Sequence, residues 1–187
     1  MNILLLCDRK SSNDDVQMSV SVQDAFQRSG HEVQMIVLNR EEFSPCVGCF
    51  GCWLKTPGVC AITNDAANGI AAKAISSDAI VLLSEITYGG FSADVKAYLD
   101  RSVQNILPLF TMYKGEMHHP MRYERFPIWI AVGYGDVSDA EKQTFTLLAD
   151  RNALNMRPER YLSLAVRNCE DFSTQAERML QVLEVSA

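Results

Sequence analysis

Four cysteines stand close together between Pro45 and Cys60. Cys46, Cys49 and Cys52 are separated from one another by two residues, and Cys60 follows a Pro-Gly turn. This spacing lets three thiolates converge from one loop, and the intervening glycines relieve backbone strain. A compact triplet with a fourth thiol suits a 4Fe-4S cluster, whereas structural zinc usually takes two separated pairs. A disulfide beside two buried thiols, and a redox-active dithiol, are the alternatives.

The composition indicates which partners and compartments to expect. The 187 residues are 48% hydrophobic and 21% charged, which predicts a single domain over 1–187. The net charge of -6 argues against nucleic acid or an anionic membrane as a partner. Without a basic leader or a long apolar run, the six cysteines indicate a reducing compartment, so we expect a cytoplasmic protein.

Short apolar runs alternate five times with amphipathic segments of helical period. The predicted strands are Asn2 to Cys7, Val33 to Leu38, Ala79 to Leu83, Ile128 to Gly133 and Tyr161 to Val166. The predicted helices are Val16 to Ser29, Asp65 to Ser76, Ala93 to Gln104, Asp139 to Asn155 and Phe172 to Val185. This alternation predicts an α/β fold: a doubly wound five-stranded parallel sheet, flavodoxin-like in its order 2-1-3-4-5, with helices on both faces.

Ligands of such sheets bind beyond the carboxyl ends of the strands. The loops expected there are 8–15, the cysteine loop 45–60, 84–92 and 133–138. A further segment, 107–125, is a long aromatic excursion that contains His118 and His119. Its length is typical of a lid over a ligand or of a subunit interface.

Two of these loops carry groups that suit a phosphate and a flat ring. Hydroxyl, amide and backbone N–H groups at the start of the first helix suit a phosphate monoester, although such residues also serve as simple helix caps. The residues concerned are Arg9, Ser11, Ser12 and Asn13. Asp14 and Asp15 follow directly and would repel a phosphate unless they point away. After the third strand, Tyr88 and two glycines offer an aromatic wall and close backbone access, or form a structural turn.

These motifs resemble those of the flavodoxin-like NAD(P)H-dependent FMN reductases, and in particular the iron-sulfur flavoproteins. In the first loop, Arg9, Ser12 and Asn13 match the family pattern, while Cys7, Asp8 and Asp14 depart from it. The closest match is Ile86 to Lys96 with Leu99 to Arg101, although Glu85 stands where proline is common. The resemblance assigns ring contacts to Thr87, Tyr88, Gly89 and Gly90, and the other side of the flavin to Gly133, Tyr134 and Gly135. It makes Cys46, Cys49, Cys52 and Cys60 the cluster ligands.

The resemblance implies an FMN-dependent oxidoreductase that takes electrons from NAD(P)H. The electrons would pass through FMN to a small-molecule acceptor, a ferredoxin-type partner or an iron-sulfur centre, in a homodimer or homotetramer. Since the flavin supplies the chemistry, no catalytic acid or base is predicted. The alternatives are an electron-transfer flavoprotein without substrate turnover, a plain FMN reductase, and a zinc- or thiol-stabilised binding protein.

Overall fold

Five parallel strands form the central sheet of the computed structural model, which describes residues 1–9, 13–42 and 44–184, without the side chains of 13–15. Its strands are β1 (Asn2–Cys7), β2 (Glu32–Val37), β3 (Ala79–Glu85), β6 (Ile128–Tyr134) and β7 (Tyr161–Val166), while β4 (Thr111–Tyr113) and β5 (Glu116–His118) form a separate hairpin. The sheet order is β2-β1-β3-β6-β7, and the predicted order 2-1-3-4-5 is thereby confirmed. The inner strands β3 and β6 are buried almost throughout, because helices cover both faces.

The helices divide between the two faces of this sheet, as predicted. They are α1 (Asn13–Arg28), α2 (Gly51–Leu54), α3 (Ala67–Ser76), α4 (Ala93–Arg101), α5 (Asp139–Met156) and α6 (Cys169–Glu184). One apolar cluster contains Val95 of α4 and Phe145 of α5, and the other contains Phe26 of α1 and Met179 of α6. None of the helices among the described residues is both long and apolar enough to cross a membrane.

Helix α4 begins and ends at features that bear on the site. The hydroxyl of Ser92 caps its first turn by accepting a hydrogen bond from the N–H of Val95 at 3.4 Å. The helix was predicted to reach Gln104, but it ends at Arg101 and tightens into a 3₁₀ helix over Ser102–Asn105. This tight turn is largely buried, and the side chain of its Gln104 reaches Cys60 in the cysteine loop.

The excursion 107–125 contains a small hairpin that the sequence pattern does not predict. Strands β4 (Thr111–Tyr113) and β5 (Glu116–His118) pair in antiparallel fashion. Lys114 and Gly115 connect them with φ of 49° and 81°, the left-handed geometry of a two-residue hairpin turn. Strands of three residues carry too little alternation to be recognised, and Lys-Gly is a weak turn signal.

Candidate functional site

All four clustered cysteines line one cavity of about 480 Å³. Cys46 and Cys49 are exposed, whereas Cys52 is 8% exposed and Cys60 is 9% exposed. The loop curls because Gly48 and Phe50 adopt left-handed backbone conformations, with φ of 64° and 57°. The short helix α2 then carries Cys52 inward. The structure thus brings the four predicted ligands to the wall of a common space.

A buried ion pair holds the two ends of this cysteine loop. The guanidinium of Arg101 contacts both carboxylate oxygens of Asp65, at 2.9 and 3.2 Å. The same group donates to the carbonyl of Ser44 at 2.7 Å and to that of Ile62 at 3.2 Å. The side chains of Arg101 and Asp65 are 1% and 4% exposed. Sequence reasoning missed this pair, because nothing in the local pattern joins residues so far apart in the chain.

The 3₁₀ helix after α4 supports the middle of the same loop. The side-chain oxygen of Gln104 accepts the N–H of Cys60 at 2.8 Å, and Asn68 accepts it as well at 3.0 Å. The indole N–H of Trp53 donates to the carbonyl of Val103 at 3.1 Å. These contacts fix the backbone on both sides of the cavity.

The thiols share an electrostatic environment. Burial raises the pKa of the Cys52 thiol, and the neighbouring thiols Cys60, Cys46 and Cys49 raise it further. Among the described residues, no three His, Cys, Asp or Glu side chains form a group that could hold a metal ion. In a 4Fe-4S cluster each cysteine binds a different iron, so its thiolates need not converge on one point. The four-thiol donor set has the chemistry for a cluster, and its role as a ligand set stays a prediction.

The loop after β3 presents a bare aromatic ring at the carboxyl edge of the sheet. Thr87 and Gly90 exchange backbone hydrogen bonds of 3.0 and 2.9 Å, which close a tight turn. At its tip, Tyr88 has a φ of 50° and is 94% exposed, and Gly89 has a φ of 73°. A left-handed conformation is uncommon for a bulky residue, and such strain is often found at ligand sites.

The end of β6 is more deeply buried than the resemblance implies. Gly133 lies in the core, where a Cβ atom would meet the ring of Phe145 at 2.6 Å. Tyr134 is 7% exposed, and its hydroxyl donates to a carboxylate oxygen of Asp8 at 3.0 Å. Gly135, with a φ of 137°, continues from the strand into the edge loop. Gly133 is thus needed for packing and Tyr134 makes an internal hydrogen bond, while flavin contacts of Gly133, Tyr134 and Gly135 stay a prediction.

Asp8 joins the ends of three adjacent strands. Besides the hydroxyl of Tyr134 on β6, it accepts the backbone N–H of Glu85 on β3 at 2.6 Å. Burial raises the pKa of Asp8 to about 6, and the hydrogen bonds from Glu85 and Tyr134 oppose this rise only in part. The sequence marked Asp8 only as a departure from the family pattern, and a carboxylate directly after a buried strand was the available signal.

The predicted phosphate loop is described only in part. The backbone N–H of Arg9 donates to the carboxylate of Asp94 at 3.2 Å, and its side chain pairs with Glu41 at 3.1 Å. Asn13 begins α1, whose N-terminus can favour an anion. Ser11 and Ser12 lie outside the described residues, as do the side chains of Asn13, Asp14 and Asp15. The phosphate contacts remain a prediction.

The two adjacent histidines have different neighbours. The ring of His118 is hydrogen-bonded to Asn155 on α5 at 2.9 Å and to Glu116 at 3.1 Å. His119 lies between the rings of Trp53 and Phe110, with centroid distances of 5.1 and 4.9 Å, and it lines the cysteine cavity. His119 therefore brings the excursion to the wall of this cavity, and the role of the excursion as a lid or subunit interface stays a prediction.

The sheet and its edge loops define a flavodoxin-like protein. No protein-family model matches the chain. Among solved structures, it is similar to an NAD(P)H:quinone oxidoreductase from Methanothermobacter marburgensis, with a TM-score of 0.70, 10% identity, and coverage of 100% of this chain and 98% of the other. Flavodoxin 1 from Bacillus cereus gives a TM-score of 0.58 at 9% identity, with 100% of both chains covered. Identities this low show a shared fold.

Two curated relatives are similar in sequence over part of the chain, and both are named iron-sulfur flavoproteins. The protein from Methanocaldococcus jannaschii is 38% identical over 79 residues, which is 42% of this chain and 39% of the relative. The protein from Methanosarcina thermophila is 30% identical over 95 residues, 51% of this chain and 48% of the relative. The matches span less than half of either relative. They agree with the resemblance that the motifs indicated.

Proposed function

We propose that this protein is an FMN-dependent oxidoreductase that carries a 4Fe-4S cluster in its cysteine cavity. The observation that carries the proposal is that Cys46, Cys49, Cys52 and Cys60 line one cavity. Two of these thiols are exposed and two are buried, which suits a group that enters the cavity from solvent and is then enclosed. The two sequence relatives named iron-sulfur flavoproteins support the same assignment.

The flavin would lie at the carboxyl edge, against the loop after β3. Tyr88 offers an exposed ring for stacking, and the turn closed by Thr87 and Gly90 brings backbone close to the ligand. Arg9 and Asn13, with Ser11 and Ser12, are the residues proposed for the phosphate end. A bound flavin would accept hydride or single electrons, and a cluster would pass electrons one at a time. Because these groups supply the chemistry, the chain needs to bind, orient and shield them.

Asp8 is a buried carboxylate at this edge, and its raised pKa lets it gain or lose a proton near neutral pH. Its carboxylate contacts the hydroxyl of Tyr134 and the N–H of Glu85, so its protonation state affects how the ends of β1, β3 and β6 are held. For the whole protein we propose NAD(P)H as donor and a small molecule or a ferredoxin-type protein as acceptor. A homodimer or homotetramer in the cytoplasm completes the proposal.

Purification without oxygen, followed by assays of iron, sulfide and extracted flavin, tests this function. We expect FMN together with iron and sulfide in the wild-type protein. Cys49→Ser should lose iron and keep FMN, because Cys49 is exposed at the cavity and lies in a loop separate from the Tyr88 turn. Cys169→Ser is the matched control, since Cys169 lies at the start of α6 and does not line the cavity.

Each of the other outcomes identifies a rival. Flavin without iron after reconstitution would indicate a plain FMN reductase. Both cofactors with slow oxidation of NAD(P)H, but fast reduction by a ferredoxin-type donor, would indicate an electron-transfer flavoprotein. Protein that binds no FMN and contains zinc would overturn the proposal in favour of a thiol-stabilised binding protein.

A further inference from the structure

Buried polar side chains, rather than regular secondary structure, hold the cysteine loop. Between Ser44 and Ile62 the loop contains only the four-residue helix α2. Yet the carbonyls of both Ser44 and Ile62 accept hydrogen bonds from the two terminal nitrogens of one guanidinium, that of Arg101. One side chain therefore joins the entry and the exit of the loop.

Asp65 is the partner of Arg101 in this arrangement. We call the two side chains, which together hold the ends of the loop, the clamp. Its carboxylate faces Arg101 in a two-point contact and also accepts the backbone N–H groups of Ser44 and Ala67, both at 3.0 Å. A planar guanidinium can donate at once to both carboxylate oxygens of Asp65 and to the carbonyls of Ser44 and Ile62, because its donors form a fixed fork. A lysine ammonium cannot. The geometry is thus specific to arginine at position 101.

Gln104 adds a second point of support near the cavity wall. It is 1% exposed, its oxygen accepts the N–H of Cys60, and its backbone carbonyl accepts a hydrogen bond from Arg122 at 2.9 Å. Arg122 also contacts the carbonyl of Cys52 at 3.4 Å. The two buried thiols are therefore connected, through their own backbone, to the turn that follows α4.

We propose that Arg101 and Gln104 are positioning residues that preform the cysteine cavity, so that Cys52 and Cys60 face it before any cofactor is present. The ligand class, an iron-sulfur cluster, rests on the proposed function. The preformed shape of the loop is a property of the protein alone. Preorganised ligands lose less conformational entropy on binding, so the clamp favours cluster assembly without contacting the cluster.

The test measures alkylation of each cysteine by iodoacetamide in the cofactor-free protein, followed by mass spectrometry. In the wild type, exposed Cys46 and Cys49 should react fast, and buried Cys52 and Cys60 slowly. Arg101→Lys should raise the rates at Cys52 and Cys60 roughly tenfold, because the loop opens locally more often. Iron uptake during reconstitution should fall in parallel.

Two controls separate a local effect from general unfolding. Arg28→Lys makes the same chemical change in an exposed ion pair with Asp24 and should leave all rates unchanged. Cys7, 1% exposed in β1, reports on the sheet core in every variant. If Cys7 becomes reactive in Arg101→Lys, the milder Gln104→Met decides. It removes the shorter of the two hydrogen bonds from the N–H of Cys60, the other being to Asn68, and should expose Cys60 before Cys52.

The outcomes distinguish the clamp from the proposed function. Unchanged rates at Cys52 and Cys60 in Arg101→Lys and Gln104→Met, with Cys7 still protected, would overturn the clamp. A wild-type protein that takes up no iron and sulfide would overturn the proposed cluster, whereas faster alkylation in the variants would still support the clamp.

Discussion

Asp8 and Asp65 both have carboxylates shielded from solvent, yet their pKa values shift in opposite directions. Asp8 as a whole residue is 5% exposed, whereas Asp65 has a side chain that is 4% exposed but is only half-buried as a residue. Burial raises the pKa of Asp8 to about 6. Burial would raise the pKa of Asp65 too, but hydrogen bonds from Arg101 and from backbone N–H groups, together with the charge of Arg101, lower it below its usual value.

The partner is the main difference between the two carboxylates, although Asp8 is also the more deeply buried residue. Asp8 receives hydrogen bonds from neutral groups, the hydroxyl of Tyr134 and the N–H of Glu85. Asp65 faces the full positive charge of Arg101. A buried carboxylate stays ionised where an opposite charge compensates for lost hydration, and it takes up a proton more readily where only dipoles are available. The ion pair of Arg101 and Asp65 thus holds the cysteine loop, whereas Asp8, which can gain or lose a proton, holds the carboxyl edge of the sheet.

Removing the partner of Asp65 should give the largest effect. Arg101→Met leaves the carboxylate buried without a counter-charge, and we expect a loss of about 3–5 kcal/mol in the free energy of unfolding at pH 7. The pKa of Asp65 should then move upward, as that of Asp8 does. Urea titrations at several pH values measure both effects.

The sign of the pH dependence is the sharper result for Arg101→Met. In the wild type the lowered pKa of Asp65 contributes stability that is lost as the pH falls through the folded-state pKa. In the variant, stability should instead be lost as the pH rises through the new, higher value. Arg28→Met, in an exposed ion pair, is the control and should change stability little. An unchanged pH profile in Arg101→Met would contradict the role of the charge pair.

Neutralising Asp8 should stabilise the protein at neutral pH. Because its pKa rises from 3.8 to about 6 on folding, its contribution is fully present below pH 3.8 and lost as the pH rises to about 6. A shift of this size corresponds to about 3 kcal/mol, so Asp8→Asn should gain up to that amount at pH 7 and nothing at pH 3.5. Asparagine can accept from Glu85 and donate to Tyr134.

The comparison of unfolding free energies at pH 7 and pH 3.5 checks this prediction. A gain that is equal at both values would mean that packing, rather than charge, limits the stability of the wild type. A loss at both values would mean that the two oxygens of Asp8 are needed as acceptors for Glu85 and Tyr134.

Removing one donor to Asp8 should have a smaller effect. Tyr134→Phe deletes the hydroxyl that contacts the carboxylate at 3.0 Å, and we expect a loss of about 1–2 kcal/mol at pH 7. The pKa of Asp8 should rise further, since this hydrogen bond lowers it. Chemical shifts of the Asp8 carboxyl carbon during a pH titration measure the change. An unchanged pKa of Asp8 would show that the hydroxyl of Tyr134 does not favour the charged form of the Asp8 carboxyl.

The smallest effect is expected at a third aspartate, Asp78, which lies nearer the surface than Asp8 and the carboxylate of Asp65. A hydrogen bond from the backbone N–H of Asn2 is the main cause of its lowered pKa, and an ion pair with Arg125 adds to it. Its side chain is 33% exposed, so Asp78→Asn should cost less than about 1 kcal/mol, and less still at high salt. A cost that is equal in low and high salt would contradict an electrostatic origin.

The main sheet was predictable from sequence, and smaller elements were not. Strands β1 and β7 have the bounds predicted from their apolar runs. For β1 the reason is burial on both faces, which leaves a continuous apolar stretch in the sequence. The hairpin around Lys114 and Gly115 was missed, since two strands of three residues produce no usable period. The end of α4 was predicted three residues too late, because helical and 3₁₀ turns share their local residue preferences.

The candidate site was predictable only in its local parts. The clustering of Cys46, Cys49, Cys52 and Cys60 is visible in the sequence, and the tertiary structure places all four on one cavity. The support of that cavity was not visible, because Arg101 is separated from Asp65 by 36 positions and from Ser44 by 57. The resemblance assigned Gly133 and Tyr134 to the flavin, which stays a prediction; the structure adds that one packs under Phe145 and the other contacts Asp8.

By itself, the sequence determined the parallel sheet and the presence of a thiol-rich loop, because both follow from the types and spacing of neighbouring residues. Only the tertiary structure decided which buried carboxylate gained a counter-charge and which did not. That choice depends on distances between residues far apart in the chain, and the energy of a buried charge depends on those distances and on hydration, which no local pattern records.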